Sequence, residues 1–219
     1  MKAMVLAAGR GERMRPITDT IPKPLVPVAG KPLIAYHLEA LARAGVRDIV
    51  INLSHLGSQI REALADGSRF GVRIAYSEEG PVPLETGGGI FKALPLLGTE
   101  PFLVVNGDVW TDFDFTGLAL DAGAHARLVL VPNPTHLVRG DFGLDDDFIV
   151  ESDRDRYTYS GLGVYSPALF AGCEPGKFPL LPLLKRAIAE RRLRGQIYWG
   201  DWSDIGTPER LDQLEASLR

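Results

Sequence analysis

A doubly wound, mixed α/β sheet carrying a small added lobe is the fold class that the sequence predicts, and three observations predict it. Short runs rich in Val, Ile and Leu recur along the chain, segments of helical spacing separate the early ones, and this alternation stops after about residue 133. Strands that alternate with helices imply parallel crossovers, and strands covered on both faces read as continuous apolar runs.

In order, AMVLAA at 3–8 is the first buried strand, and a long polar, Pro-rich stretch separates it from a helix over Leu33–Ala44, with Leu38 and Leu41 on one face. DIVINL at 48–53 and VRIAY at 72–76 are strands flanking a helix at Gly57–Ala65. A shorter helix at Gly89–Leu97 leads into the strand FLVVN at 102–106. ARLVLVP at 126–132 and YSGLGVY at 159–165 are two more strands. Between them, Gly140 to Glu151 reads as an antiparallel hairpin turning at Asp145-Asp146-Asp147. Helices near 180–192 and 207–218 close the pattern, the last capped by Thr207 with Pro208 at its first position.

The 219 residues suffice for one domain with a large core, and no linker, repeat or low-complexity tract divides them. One domain over 1–219 is expected: a nucleotide-type half to about 133, an added lobe over about 134–199, and a closing segment over 200–219. With 24 Lys and Arg against 28 Asp and Glu, the net charge of −4 excludes a basic field for nucleic acid or anionic lipid. Any phosphate must therefore be met locally. The first apolar stretch, Ala3 to Ala8, is too short for a signal peptide and no later run approaches membrane-spanning length, so with the lone Cys173 a reducing, cytoplasmic setting is expected.

The loop after the first strand supplies that local site. Gly9-Arg10-Gly11-Glu12-Arg13-Met14-Arg15-Pro16 lies at the carboxyl end of a predicted parallel strand, where such sheets bind ligands. Gly9 and Gly11 allow backbone N–H groups to approach an anion, and Arg10, Arg13, Arg15 and Lys23 bring four cations. A dinucleotide fingerprint would need a third glycine where Met14 stands, at the start of a helix that the sequence does not suggest, and no Gly-Lys-Ser/Thr closes a Walker loop.

LAAGRGERMRPITDTIPKPLVPVAGKPLI, residues 6–34, resembles the signature of the sugar-1-phosphate nucleotidyltransferases: LAAGxGxRMxP, then PKPL, then GKPLI. The resemblance implies a Rossmann-like, nucleotide-diphospho-sugar transferase (GT-A-like) fold. It also implies an enzyme whose loop (Ala8, Gly9, Gly11, Glu12, Arg13) wraps a nucleoside triphosphate, with Arg13 on the departing pyrophosphate and Lys23 on the phosphates at the reacting centre. Both roles suit a reaction catalysed by positioning and charge neutralisation.

Two carboxylates are candidate ligands for Mg2+, a hard cation that takes carboxylate and phosphate oxygens. Asp108 ends the strand FLVVNGD, and Asp204 lies in GDWSDIGTP just before the last helix. Alone, each could be a turn or cap residue; the family patterns NGD and W-x-D-x-G-T-P imply that the pair holds the catalytic metal, with Asp108 counted among the catalytic residues beside Arg13 and Lys23. The four histidines have no assigned chemistry, and His37 reads as structural.

Leu84-Glu85-Thr86-Gly87-Gly88-Gly89-Ile90 reads as a glycine-rich turn entering a helix, with room for a planar ring against its backbone. The family implies that Thr86, Gly87 and Gly88 meet the base. LETGGGI and the chain's length resemble the branch using UTP and N-acetylmuramic acid 1-phosphate, in peptidoglycan recycling. The sugar is implied to meet Asn106, Asp141, Gly143 and Glu151. The family's Glu-Lys-Pro is Glu151-Ser152-Asp153 here, so its lysine is missing; Arg139, Arg154 or Arg156 replaces it, or the metal and first loop suffice. Arg139, at a Gly-Asp turn, is the expected reader of the lactyl carboxylate that marks this sugar.

The alternatives are a glucose-, mannose- or GlcNAc-1-phosphate nucleotidyltransferase using UTP, dTTP or GTP, and a non-catalytic regulatory subunit of the same fold. The expected partners are the nucleotide and sugar phosphate only, in a monomer or weak homo-oligomer, without nucleic acid or membrane.

Overall fold

The computed structural model describes residues 1–218. Strand β1 (Lys2–Leu6) runs into a long loop that holds three single 3-10 turns, Glu12–Met14, Ile17–Asp19 and Lys23–Leu25, then the short hairpin of β2 (Pro27–Val28) and β3 (Lys31–Pro32). There follow α1 (Leu33–Arg43), β4 (Asp48–Leu53), α2 (Gly57–Leu64), β5 (Arg73–Glu78), α3 (Glu85–Leu97), β6 (Phe102–Asn106) and β7 (Val109–Thr111). The chain continues through β8 (Ala126–Val131), β9 (Phe142–Asp145), β10 (Phe148–Val150), β11 (Arg156–Tyr165), α4 (Leu181–Ala189), β12 (Leu193–Ile197), β13 (Trp202–Asp204) and α5 (Pro208–Ser217).

Nine strands form one sheet in the order β5-β4-β1-β6-β11-β8-β12-β10-β9. The first four are parallel, and β11 joins them antiparallel to β6, Leu162 facing Val105. From β1 the chain moves outward to β4 and β5, then returns to the other side of β1 as β6. That reversal opens a crevice at the carboxyl ends of β1 and β6, the place where open α/β sheets bind ligands. In the second half β9 also pairs back to β11, so β11, β8, β12, β10 and β9 close upon themselves.

Alternate residues of the central strands feed opposite cores, as a period of two requires. Ala3, Val5, Ile49 and Ile51 pack with Ile34, Leu38 and Leu41 of α1 and Ile60 and Leu64 of α2. Met4, Val50 and Val104 pack on the other face with Ile90, Ala93 and Leu97 of α3 and Leu183, Leu184 and Ala187 of α4. A third cluster joins Met14 of the loop and Leu33 to Ile205, Leu211 and Leu214, so α5 braces the loop. Thr207 Oγ1 accepts from Arg210 N at 3.4 Å and starts α5, a cap worth about 1 kcal/mol.

The hairpin expected over 140–151 forms with Leu144 opposite Ile149. Three expectations need correction. A 3-10 turn begins at Glu12, where the sequence suggested no helix, because Gly11 takes the left-handed conformation (φ 64°) and its carbonyl accepts from Met14 N at 2.8 Å. The Gly87–Gly89 segment lies inside α3 rather than in a turn before it. LRGQI at 193–197, unrecognised in the sequence, is an interior strand. Its Gly195 is bare because a Cβ there would collide with Ile149. Among the described residues no helix is long and apolar enough to cross a membrane.

Candidate active site

A cavity of about 600 Å³ opens at the crevice between β1 and β6. Residues 6–13 form one wall, Lys23 and Pro24 a second, and Asn106, Gly107 and Asp108 the floor. Of the expected nucleotide residues, Ala8, Gly9, Gly11, Glu12, Arg13, Lys23 and Thr86 line it. Gly11 is demanded twice, by its positive φ and by Thr18, whose Cγ2 would lie 2.9 Å from a Cβ and whose hydroxyl donates to the Gly11 carbonyl at 2.8 Å. Arg10 and Arg13 form no ion pair among the described residues.

Lys23 is buried, and its Nζ lies 2.6 Å from Asp108 Oδ2. Pro22 and Pro24 flank it, and the 3-10 turn at Lys23–Leu25 closes through Leu25 N donating to the Pro22 carbonyl at 2.8 Å. Asp108 is placed by Gly107, whose N–H reaches the Leu6 carbonyl at 2.9 Å and whose missing side chain lets the two strand ends approach. Lysine and carboxylate, 85 residues apart in sequence, thus meet where the strands end.

Asp204 reaches the same neighbourhood by a separate two-stranded ladder. β13 pairs antiparallel with β7, Asp204 opposite Val109, and Ile205 N donates to the Asp108 carbonyl at 2.9 Å. Asp204, expected to hold the metal with Asp108, does not line the cavity that Asp108 lines. Arg210 Nη1 donates to Oδ2, and His136 Nε2 stands 3.1 Å from Oδ1. That last approach lacks hydrogen-bond geometry, so Oδ1 is a buried carboxylate oxygen with no donor. Among the described residues no three His, Cys, Asp or Glu side chains form a metal-ligating cluster.

His37 lies fully buried behind this ladder. Its Nε2 donates to the Val109 carbonyl at 2.8 Å, and burial pushes its pKa down to about 4, so the imidazole is neutral.

Asn52 and Glu79 were not singled out in the sequence, yet both line the cavity. Asn52 Oδ1 accepts from Ala7 N at 2.7 Å, its amide donates to Glu79 Oε1 at 2.6 Å, and Glu79 Oε2 accepts from Leu84 N at 2.7 Å. This chain ties the ends of β1, β4 and β5 to the start of α3. The available signal was a polar residue ending each apolar run, INLS and SEEG, at the ligand edge of a parallel sheet.

The room expected beside Gly87 and Gly88 is filled by the protein itself. A Cβ on Gly87 would lie 2.6 Å from the Phe178 ring, and one on Gly88 would strike the Gly176 carbonyl. Gly88 N donates to the Phe178 carbonyl at 3.0 Å, so these glycines seat the 176–178 segment against α3. Thr86 alone of the three expected base contacts faces the cavity.

The four expected sugar residues divide. Asn106 lines the first cavity beneath Gly161, whose φ of 81° and 2.7 Å clearance to the Asn106 side chain exclude any larger residue. Asp141 and Glu151 line a second cavity of about 430 Å³ in the lobe. Gly143 lies outside both linings, in β9 opposite Val150, its Cα packed against Ser152. Of the three arginines weighed against the missing lysine, Arg139 is bound to Asp153 at 2.6 Å and Arg156 donates to the Asp141 carbonyl. The cation beside Glu151 is instead Lys185 of α4, at 2.9 Å. The sequence offered no signal for it, since α4 lies 34 residues further on.

A family model described as nucleotidyl transferase matches residues 2–144. The chain is 52% identical to the N-acetylmuramate alpha-1-phosphate uridylyltransferase of Neisseria meningitidis serogroup B, over 99% of this chain and 97% of that one. It is 38% identical to the protein of the same name from Caulobacter vibrioides, over 99% and 96%. Among solved structures, a Bacillus anthracis protein provisionally called a glucose-1-phosphate thymidylyltransferase superposes with a TM-score of 0.87 over 100% of this chain and 95% of that one, at 22% identity. That likeness is one of fold.

Proposed function

The chain belongs to the nucleotidyl transferase family, and from that premise we propose that it transfers a uridylyl group from UTP to N-acetylmuramic acid α-1-phosphate. The products are UDP-N-acetylmuramic acid and pyrophosphate. The substrate pair is supported by near-full-length identity to two relatives that carry that name. The observation that carries the chemistry is the Lys23–Asp108 pair at 2.6 Å on the floor of a cavity walled by the Gly9–Arg13 loop.

In the proposed reaction a phosphate oxygen of the sugar attacks the α-phosphorus of UTP. A new P–O bond forms, the bond between the α-phosphorus and its bridging oxygen breaks, and that oxygen leaves with pyrophosphate. The attacking phosphate is already ionised near neutral pH, so no protein base or nucleophile is required. The backbone of Gly9 to Gly11 and the guanidinium groups of Arg10 and Arg13 receive the triphosphate and hold the charge growing on the leaving oxygens. Lys23, restrained by its flanking prolines, balances charge at the α-phosphate. Neutral His37 secures the Val109 carbonyl and with it the strand that carries Asp108.

Asp108 and Asp204 fit a magnesium site, because both offer hard carboxylate oxygens on adjoining strands and Asp204 Oδ1 is buried without a donor. When bound there, the ion would supply charge neutralisation on phosphate oxygens. Arg210 orients the Asp204 carboxylate through its other oxygen.

In this reading the whole chain is one catalytic unit, its first 133 residues serving the nucleotide, the lobe of about 134–199 the sugar and residues 200–219 the metal. It acts in the cytoplasm as a monomer or weak homo-oligomer. Pyrophosphate release, measured with UTP, GTP and dTTP against N-acetylmuramic acid, GlcNAc, glucose and mannose 1-phosphates, is expected to be fastest for UTP with the first. Faster release with another pair would replace the substrate assignment, and no release with any pair would overturn the enzymatic one.

A further inference from the structure

The second cavity has chemistry that the reaction at Asp108 does not use. Asp141, Glu151, Asp153, Arg156, Leu181 and Lys185 are among its lining residues. Each of the three acids already has a partner. Asp141 Oδ2 accepts from Tyr159 N at 2.8 Å, Glu151 is paired with Lys185, and Asp153 with Arg139. Arg156 differs. Its Nη2 donates to a neutral oxygen, the Asp141 carbonyl, so its charge has no counter-ion among the described residues. Lys185 is more than half exposed in its pair with Glu151, a weak arrangement that lets the ammonium turn to another carboxylate. One uncompensated guanidinium and one loosely held ammonium thus share a cavity.

The cavity also lies where the far side of the sugar must fall. Gly161 of β11 covers Asn106 in the first cavity, while Tyr159, two residues earlier, holds Asp141 in the second. Two residues of a regular strand span about 7 Å, and β11 shifts its register against β8 between Tyr159 and Leu162, so the two cavities lie within about that distance along β11. The 177–185 segment borders both cavities, since Lys177 Nζ lies 3.4 Å from Glu85 Oε1 at the first and Lys185 lines the second. In the reading proposed above, a sugar with its phosphate near Asp108 would lie toward β11 and turn its ring substituents toward the second cavity.

We propose that the second cavity is a carboxylate subsite in which Arg156 and Lys185 receive the acidic ether substituent of the sugar. This inference rests on the substrate reading above and deepens it. N-Acetylmuramic acid differs from GlcNAc by a lactyl ether carboxylate, and a guanidinium fork is the side chain best matched to a carboxylate. The subsite therefore sets the choice between the two sugars. Arg139, the sequence's candidate for that task, serves the subsite indirectly by holding Asp153 away from Arg156.

The test compares kcat/KM for N-acetylmuramic acid 1-phosphate with that for GlcNAc 1-phosphate, both with UTP, in the wild type, Arg156→Gln and Lys185→Met. Glutamine keeps a donor for the Asp141 carbonyl, and Lys185, on the surface of α4, can be replaced without disturbing the core. The ratio is expected to fall about 10- to 100-fold in Arg156→Gln and about 3- to 10-fold in Lys185→Met, as for loss of charge-assisted hydrogen bonds. A ratio within about twofold of wild type in both variants, or in Lys185→Met alone should the other not fold, would overturn the subsite and leave the substrate reading standing. A wild type that shows no preference for the acidic sugar would overturn both.

Discussion

In the first cavity Arg10 and Arg13 reach the lining without an ion pair among the described residues, although Glu12 lines it between them, and of its cations Lys23 alone is paired. In the second, Glu151, Asp153 and Asp141 are each answered from within the protein, and one guanidinium is left over. In the proposed function the first offers two guanidinium groups, free of ion pairs, to the several charges of a triphosphate. The second is nearly balanced, so that a single added charge decides what is accepted. In the proposed reading, polyanion capture and selective recognition thus divide between the parallel half of the sheet and the closed, mixed half.

The largest effect that could break this contrast belongs to Lys23. Lys23→Ala is expected to lower kcat roughly 100- to 1000-fold, the usual scale for removing one group that stabilises developing charge. Asp108, left without its partner, is 44% exposed and can be solvated, so the melting temperature should move by no more than about 4 °C. Collapse of the melting temperature with kcat near wild type would make the pair a structural one and erase the distinction between the cavities.

A second, smaller effect separates the two halves by pH. His37 has a native pKa near 4 against 6.5 in the unfolded chain, so below pH 6.5 the unfolded chain takes up a proton that the native fold refuses. The stabilising contribution is therefore present in full above about 6.5 and is lost as pH falls toward 4, at 1.36 kcal/mol per unit or about 3 kcal/mol in all. Urea midpoints for wild type and His37→Gln at pH 7.5 and 4.5 should converge at the lower pH. A constant difference would place the acid sensitivity elsewhere, and the lobe would be the next place to look.

The smallest effect sharpens the contrast from the other side. Arg139 and Asp153 have side chains 57% and 97% exposed, so Arg139→Ala should change unfolding free energy by less than about 0.5 kcal/mol. Its readout in the lobe is instead sugar discrimination, because the released Asp153 can then compete for Arg156. A stability loss above 1 kcal/mol in denaturant titration would show that the lobe depends on its surface pairs.

How much of this was legible in the sequence follows the same division. Residues 6–34 announced the first cavity because the phosphate contacts proposed there are neighbours in sequence: glycines, arginines and a lysine between two prolines. Asp108 and Asp204 were legible as polar ends of strands, but the ladder that joins them, and the engagement of Asp204 by Arg210, exist only in three dimensions. The Gly87–Gly89 run misled because glycine's weak helix propensity suggests a turn. Close packing against Phe178 and Gly176 overrides that propensity and is itself the reason for the glycines. Arg156 was legible only as one of three arginines that could replace the family's lysine, and Lys185 carried no signal, since nothing in either stretch says that β11 and α4 share a wall.

The ladder between β7 and β13 has a consequence for how the protein is made. Thr111 and Trp202 are opposite one another, so strand β7 waits through the synthesis of some ninety residues before its partner exists. At about 5–20 residues per second that interval lasts several seconds, ample for the parallel strands to assemble. A nascent chain would thus hold its first loop well before it held Asp204 or α5, which braces that loop. The two would arrive together, so the loop gains its brace when Asp204 gains its ladder.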